Sequence, residues 1–233
     1  MTVTEATILS RTQPVTVDLY RDIHKGIRAE LFAVTGDAGR IDPASGAARA
    51  ALAGHVRSIV EVLDSHAAHE DAAIQPVLEE HAPALARRIR ADHEDFEVRT
   101  LDLTVWAEEM VQCPRAQRAE AVRSLYLELA EFTGAYLAHQ DVEERAVLPA
   151  LERAIGVEAV LGLKMAIVSS IPPPELAASL AFMLPAMNID NRAELIGGIR
   201  LGAPPQIFEG VWGLAGSVLT AADHAALGER LGL

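Results

Sequence analysis

The sequence predicts an all-α fold: a four-helix bundle over residues 16–156, an arm before it (1–15) and a further helical segment after it (157–233). Three observations predict this. Half of the 233 residues are apolar but only 4% are aromatic, and alanine is abundant, which favours closely packed helices. Apolar residues recur at alternating spacings of three and four, the rhythm of a buried helical stripe. Proline and glycine fall between these stretches, where helices start and stop.

The elements follow in order. The arm ends at Pro14. Helix one spans Thr16 to Thr35 and stops at Gly36, with the stripe Val17, Tyr20, His24, Ile27, Leu31 and Val34. A loop follows, with Asp42 as N-cap and Pro43 at the first helical position. Helix two runs to Glu80 with Leu52, His55, Ile59, Val62, His66, Glu70, Ala73 and Val77 in line. Pro83 opens helix three, which reaches Gln112 and carries Leu85, Ile89, His93, Phe96 and Leu103. Pro114 opens helix four, which reaches Ile155, stops at Gly156 and aligns Leu125, Leu129, Phe132, Tyr136, His139 and Glu143.

Histidine and glutamate therefore sit on apolar seams. A buried carboxylate costs several kcal/mol unless it is paired or bound to a cation. Two stretches also share one pattern, His-x3-Glu-x5-Pro-x-Leu-Glu. In the first it falls on His66, Glu70, Pro76, Leu78 and Glu79, and in the second on His139, Glu143, Pro149, Leu151 and Glu152. A His and a Glu four residues apart lie on one helix face, roughly 6 Å apart along the axis. His24 precedes the first pair by 42 residues and His93 precedes the second by 46. Each helical hairpin thus supplies one His and one His-x3-Glu, and two hairpins supply four imidazoles and two carboxylates. That set suits a binuclear metal site in a bundle core. Pro76 and Pro149 are expected to kink their helices just past the site.

His24, His66, Glu70, His93, His139 and Glu143, in this order and spacing, resemble the hemerythrin-like (HHE cation-binding) family over residues 16 to 156. The resemblance implies a hemerythrin-like four-helix bundle around two iron ions with an oxo or hydroxo bridge. The four histidines would be terminal ligands and the two glutamates carboxylate ligands. Zinc or manganese is compatible with the same donors. The resemblance implies a dioxygen-binding protein, and one departure bears on what it does with dioxygen. Oxygen carriers of the family have a second His one turn after the helix-three His, where this chain has Glu97. Glu97 is therefore a candidate additional ligand. The change shifts the expectation from reversible carriage to activation of dioxygen, peroxide or nitric oxide by a di-iron oxidoreductase. The alternative is an oxygen- or iron-sensing module without turnover.

Around the six, Tyr20 and Tyr136 lie on the seams and are candidates to hydrogen-bond a bound oxygen species. His55 lies three turns from His66 and is expected to be a satisfied structural His. Asp71 and Glu144 follow the two glutamates and are expected to face solvent, with the orienting of an imidazole as their other possible role. His69 is expected at the surface, and His81 and His224 receive no role. The single cysteine, Cys113, is expected in inert helix-end packing and fits a reducing cytoplasm.

A net charge of −13, from 20 basic and 33 acidic residues, argues against nucleic acid and against anionic membrane surfaces. No apolar run approaches the ~20 residues of a membrane span. The N-terminus lacks the basic start and apolar core of a secretion signal, so a cytoplasmic protein is expected. Past Gly156 the chain predicts helices over Val157–Ser170, Glu175–Met187 and Asn191–Leu201. Pro204 and Pro205 open another, and a Thr220–Asp223 capping box opens the last. This segment is too apolar for a free tail. It must pack on the bundle as a lid or on a second copy as a homodimer surface.

Overall fold

The computed structural model describes residues 14–233, so nearly all of the expected arm lies outside the described residues. The described chain is helical, with no strand. Helices α1 (Arg21–Arg40), α2 (Gly46–Ala73), α4 (Pro83–Gln112) and α5 (Arg118–Val142) form a bundle in which α1 neighbours α2, α2 neighbours α4, α4 neighbours α5 and α5 closes on α1.

Several boundaries differ from expectation, each for a local reason. Helix α1 starts late because the Asp18 carboxylate accepts hydrogen bonds from the backbone of Tyr20 and Arg21. It does not stop at Gly36: buried Val34 and Ala38 hold the next turn in the core, and Gly39 lets the Tyr126 ring pack against the backbone. The cap of α2 is Ser45, whose Oγ accepts from the Ala48 N–H, and not Asp42, which turns the preceding loop. Helix four begins as a single 3₁₀ turn, Arg115–Gln117, before α5.

The paired prolines act differently. At Pro76 the long second helix is interrupted at Ile74 and restarts as α3 (Gln75–His81). At Pro149 the chain instead forms a π-helical turn, Glu143–Val147, with the Leu148 N–H donating to the Glu143 carbonyl, and continues as α6 (Leu148–Ser170). Proline lacks an N–H and its ring crowds the carbonyl four residues back, so both sites must loosen the helical ladder. Gly156 does break the chain direction: its φ of 81° and ψ of 162° suit glycine alone.

Two apolar clusters fill the bundle. One, around Ile27, Leu31, Val56, Phe96, Leu125, Leu129 and Phe132, extends away from the helix breaks. The other, around Tyr20, Ile74, Leu78, Ile89, Val147, Leu148 and Leu151, lies at the breaks. The last residues of the shared motif serve this architecture. Leu78 and Leu151 are core, Glu79 pairs with Arg90, and Glu152 accepts from the backbone of Thr16 and Val17.

Helices α7 (Pro173–Ala186), α8 (Ile189–Gly202), α9 (Pro205–Val218) and α10 (Ala221–Leu231) make a third cluster with Leu180, Leu184, Ile196, Ala215 and Leu227 at its centre. Thr220 caps α10 as expected, through the Asp223 N–H. Buried Arg192 donates to the carbonyls of Leu184 and Pro185 at the end of α7. Helix α7 lies along α1, and Phe182 packs on Gly26 so closely that a Cβ there would stand 2.6 Å from the ring. Among the described residues no single helix is long and apolar enough to cross a membrane.

Candidate metal centre

Between the first two clusters lies a layer of polar side chains. His24 comes from α1, His66 and Glu70 from α2, His93 from α4, His139 from α5 and Glu143 from the first residue of the π turn. All are buried or nearly so; Glu143 is 1% exposed. They form two groups able to hold a metal ion: His24, His66, Glu70 and Glu143, and Glu70, His93, His139 and Glu143. Both glutamates belong to both groups.

The distances divide each carboxylate between the halves. Glu70 Oε1 lies 3.3 Å from His66 Nε2, and its Oε2 lies 3.4 Å from His93 Nε2. Glu143 Oε2 lies 3.4 Å from His24 Nε2, while its Oε1 lies 3.0 Å from His139 Nε2 and 3.8 Å from His93 Nε2. All four carboxylate oxygens, with His93 Nε2, are buried without a hydrogen-bond partner. Unpaired buried oxygens are costly. These five unpartnered atoms of Glu70, Glu143 and His93, together with the Nε2 atoms of His24 and His66 that lie 3.2 Å apart, form a donor set that could hold metal cations.

Electrostatics gives the same picture. Burial, then the neighbouring Glu143 charge, pushes the Glu70 carboxyl well up. Burial would raise Glu143 too, but His139 and His93 outweigh it and hold it well below the usual range. Burial, then His24, drives His66 down to about 3. Burial would also lower His93, but Glu143 and Glu70 hold it up at about 11. Two carboxylates in one buried volume oppose each other's ionisation, and a shared cation removes the conflict.

A ring of outer carboxylates fixes the imidazoles. Asp71 on α2 lies 2.8 Å from Nδ1 of His93 on α4. Asp92 on α4 lies 3.2 Å from Nδ1 of His139 on α5. Glu144, past the end of α5, lies 2.9 Å from Nδ1 of His24 on α1 and also pairs with Arg28. A carboxylate on Nδ1 selects the tautomer that turns the Nε2 lone pair inward, the usual support of a metal-bound imidazole. Asp71 and Glu144 thus orient ligand-type histidines and do not simply face solvent. Asp92 is missing from the sequence reading; the only hint was an acid next to His93. His66 has no carboxylate on Nδ1 among the described residues.

A family-level match now decides what kind of chain this is: the hemerythrin HHE cation binding domain matches residues 15–151. The chain belongs to that family. Comparison with curated proteins and with solved structures gives no match. The HHE domain binds cations, and all six candidate residues fall within the matched stretch.

The remaining candidates separate. Glu97 is exposed on α4 and outside both groups of the HHE layer, so the structure does not bring it to the other six. Tyr20 stacks on His24, with centroids 4.8 Å apart, and lines a small cavity with Glu70, His93 and Glu143. Tyr136 belongs instead to an aromatic wall with Phe96 and Phe132 that abuts His139. Burial, then the charges of Glu70 and Glu143, raises the Tyr20 phenol well above its ordinary value, so it keeps its proton. His55 is satisfied by Glu30 and Asp37 away from the layer. His69 pairs with Glu175 of α7, His81 lies near Glu80, and His224 packs against Trp212 in a tilted ring contact. Cys113 closes α4 with its thiol on the Met110 carbonyl.

Proposed function

We propose that this HHE domain holds two iron ions between its four imidazoles and two shared glutamates, and uses them in redox chemistry on dioxygen, peroxide or nitric oxide. The observation that carries this reading is the pair of overlapping His2Glu2 groups with both carboxylates in common. Iron in such a nitrogen and oxygen donor set supplies electron exchange with small oxygen species. The chain's own residues set the conditions. Asp71, Asp92 and Glu144 hold three imidazoles in one tautomer. The Phe96, Phe132 and Tyr136 wall keeps water from one side of the layer. Tyr20 keeps a phenolic proton beside the carboxylates.

The test is an optical spectrum through anaerobic ferrous loading, oxygen exposure and oxygen removal. A band that decays to a stable ferric spectrum supports redox turnover. A band that vanishes when oxygen is removed indicates reversible binding. Failure to take up two iron ions per chain removes the reading.

A second reading, a sensor, is favoured by one set of contacts. Ser65 and His69, which flank His66, both bond to Glu175 of α7, and Arg21 and Lys25, which flank His24, bond to Glu194 and Asn191 of α8. Occupancy of the layer would then reach α7 and α8 through two neighbouring turns. Hydrogen exchange in α7 and α8 with and without metal separates the readings, because a sensor requires a difference there.

A further inference from the structure

The two halves of the polar layer differ in the charge that surrounds their imidazoles, and one arginine makes the difference. Asp71 lies on Nδ1 of His93 and Asp92 on Nδ1 of His139, and among the described residues no Lys or Arg pairs with either carboxylate. In the His24–His66 half the outer carboxylate is Glu144, and one of its oxygens is used twice. Its Oε1 lies 2.9 Å from Nδ1 of His24 and 2.9 Å from a guanidinium nitrogen of Arg28. Arg28 stands one turn after His24 on α1. Two unneutralised acids thus surround one half, and an acid with its counter-ion the other. Further charges near the second half are engaged elsewhere: Glu175 on Ser65 and His69, Arg21 on Asp22 and Glu194, and Lys25 on Asn191.

A carboxylate on Nδ1–H makes an imidazole a stronger donor to its ion. A guanidinium on the same oxygen draws that electron density away, and its own charge opposes any positive charge added nearby. In a buried layer of low dielectric such differences are felt strongly.

We propose that Arg28 makes the two metal positions electronically unequal: when the pair holds one ferric and one ferrous ion, the ferric ion lies in the His93–His139 half and the ferrous ion in the His24–His66 half. This rests on the di-iron reading above and deepens it. The ferric ion gains most from two unneutralised carboxylates, and the ferrous ion loses least beside a guanidinium. The half that takes the first electron is then the one whose neighbouring side chains reach α7 and α8.

The test is a potentiometric titration of the full chain loaded with two ferric ions, in which the electrode supplies one electron to each Fe3+ to give Fe2+. Iron content is measured for every protein, and the mixed-valence state is followed by its optical and electron spin resonance spectra. Loss of the positive charge makes the His24–His66 ion harder to reduce and changes the other ion less. Arg28→Gln should therefore narrow the gap between the two reduction steps and lower the formation constant of the mixed-valence state by roughly fivefold. Arg28→Lys keeps the charge and should keep the gap. Asp71→Asn takes a negative charge from the other half, makes that ion easier to reduce, and should narrow the gap from the opposite side. It carries the test if Arg28→Gln holds fewer than two ions. A gap that either charge-removing variant leaves unchanged or widens overturns the proposal, as does equal narrowing by Arg28→Lys. So does a single two-electron step in the unaltered chain. An unaltered chain that takes up no iron overturns the di-iron reading, and the proposal with it.

Discussion

The two halves of the polar layer are made of the same kinds of residue and rest on different supports. In the His93–His139 half both imidazoles are braced by carboxylates of the bundle itself, Asp71 and Asp92, which are half-exposed to solvent. In the His24–His66 half, among the described residues, only His24 has such a brace, Glu144. The carboxylate ring passes from α2 to α4, from α4 to α5 and from the π turn after α5 to α1, and among the described residues it lacks a fourth link, from α1 to His66. At that gap α7 lies against the bundle, with Glu175 on Ser65 and His69. A repeated motif thus gives a pseudo-symmetric inner set inside an unsymmetric frame. The half with fewer internal supports is the one tied to the rest of the chain.

The change that should erase the comparison altogether is removal of the shared carboxylates. Glu70→Ala with Glu143→Ala removes both carboxylates common to the two candidate groups, and if the proposed pair of ions binds, metal content should fall from two per chain to none. Two ions retained in the double variant would sink the assignment. The single changes sharpen the picture. Glu143 reaches three imidazoles and Glu70 two, so Glu143→Ala should lose more metal than Glu70→Ala at equal loading.

Next in size are the outer carboxylates. Loss of such a partner lowers metal affinity by about 10- to 100-fold. Asp92→Asn should do so for the ion of the His93–His139 half, leaving one tight and one weak site in a calorimetric titration. Equal weakening of both sites would mean that the two halves of the layer are not independent.

The inner layer was legible in the sequence because its signal is local and costly. His and Glu on apolar seams at helical spacing have few other reasons to be there, and the bundle follows from the same stripes. What was illegible arises between helices. Asp92 looks like any surface acid, since nothing in the chain tells which imidazole it meets 47 residues on. Glu97 has the spacing of a ligand but faces outward. The two prolines read alike, yet one ends a helix and the other yields a π turn, a difference their shared motif does not encode. Gly36 predicts a stop that buried Val34 and Ala38 override. The lean of α7 on α1 depends on Gly26, which in sequence is one more small residue in an alanine-rich chain.

That glycine gives a third prediction. In Gly26→Ala the new methyl would meet two Phe182 ring carbons at 2.6 Å and the Met183 Cα at 3.3 Å. Phe182 or the whole of α7 must shift, an overpacking cost of about 1–3 kcal/mol despite the better helix propensity of alanine. Thermal stability should fall, and hydrogen exchange should rise in α7 more than in α4. Equal protection of both helices would show that the extension is not held at this contact.

The smallest effect belongs to a histidine outside both halves, and it calibrates the rest. His55 sits between Glu30 and Asp37, 3.0 and 3.1 Å away. The Glu30 hydrogen bond raises its pKa against a smaller opposing effect of burial, with Asp37 adding to the rise. A raised folded-state pKa means that the charged form is favoured by folding. Its contribution is complete below the ordinary imidazole value of about 6.5 and fades as pH climbs through the higher folded value. The group is half-buried and its partners are partly exposed, so solvent screening limits the pair to about 0.5 kcal/mol. His55→Gln should therefore lower stability slightly at pH 5.5 and hardly at all at pH 9, with metal content unchanged at both. A deficit that grows with pH would reverse the sign of this linkage. A loss of metal would mean that the polar layer reaches three turns further along α2 than its geometry indicates.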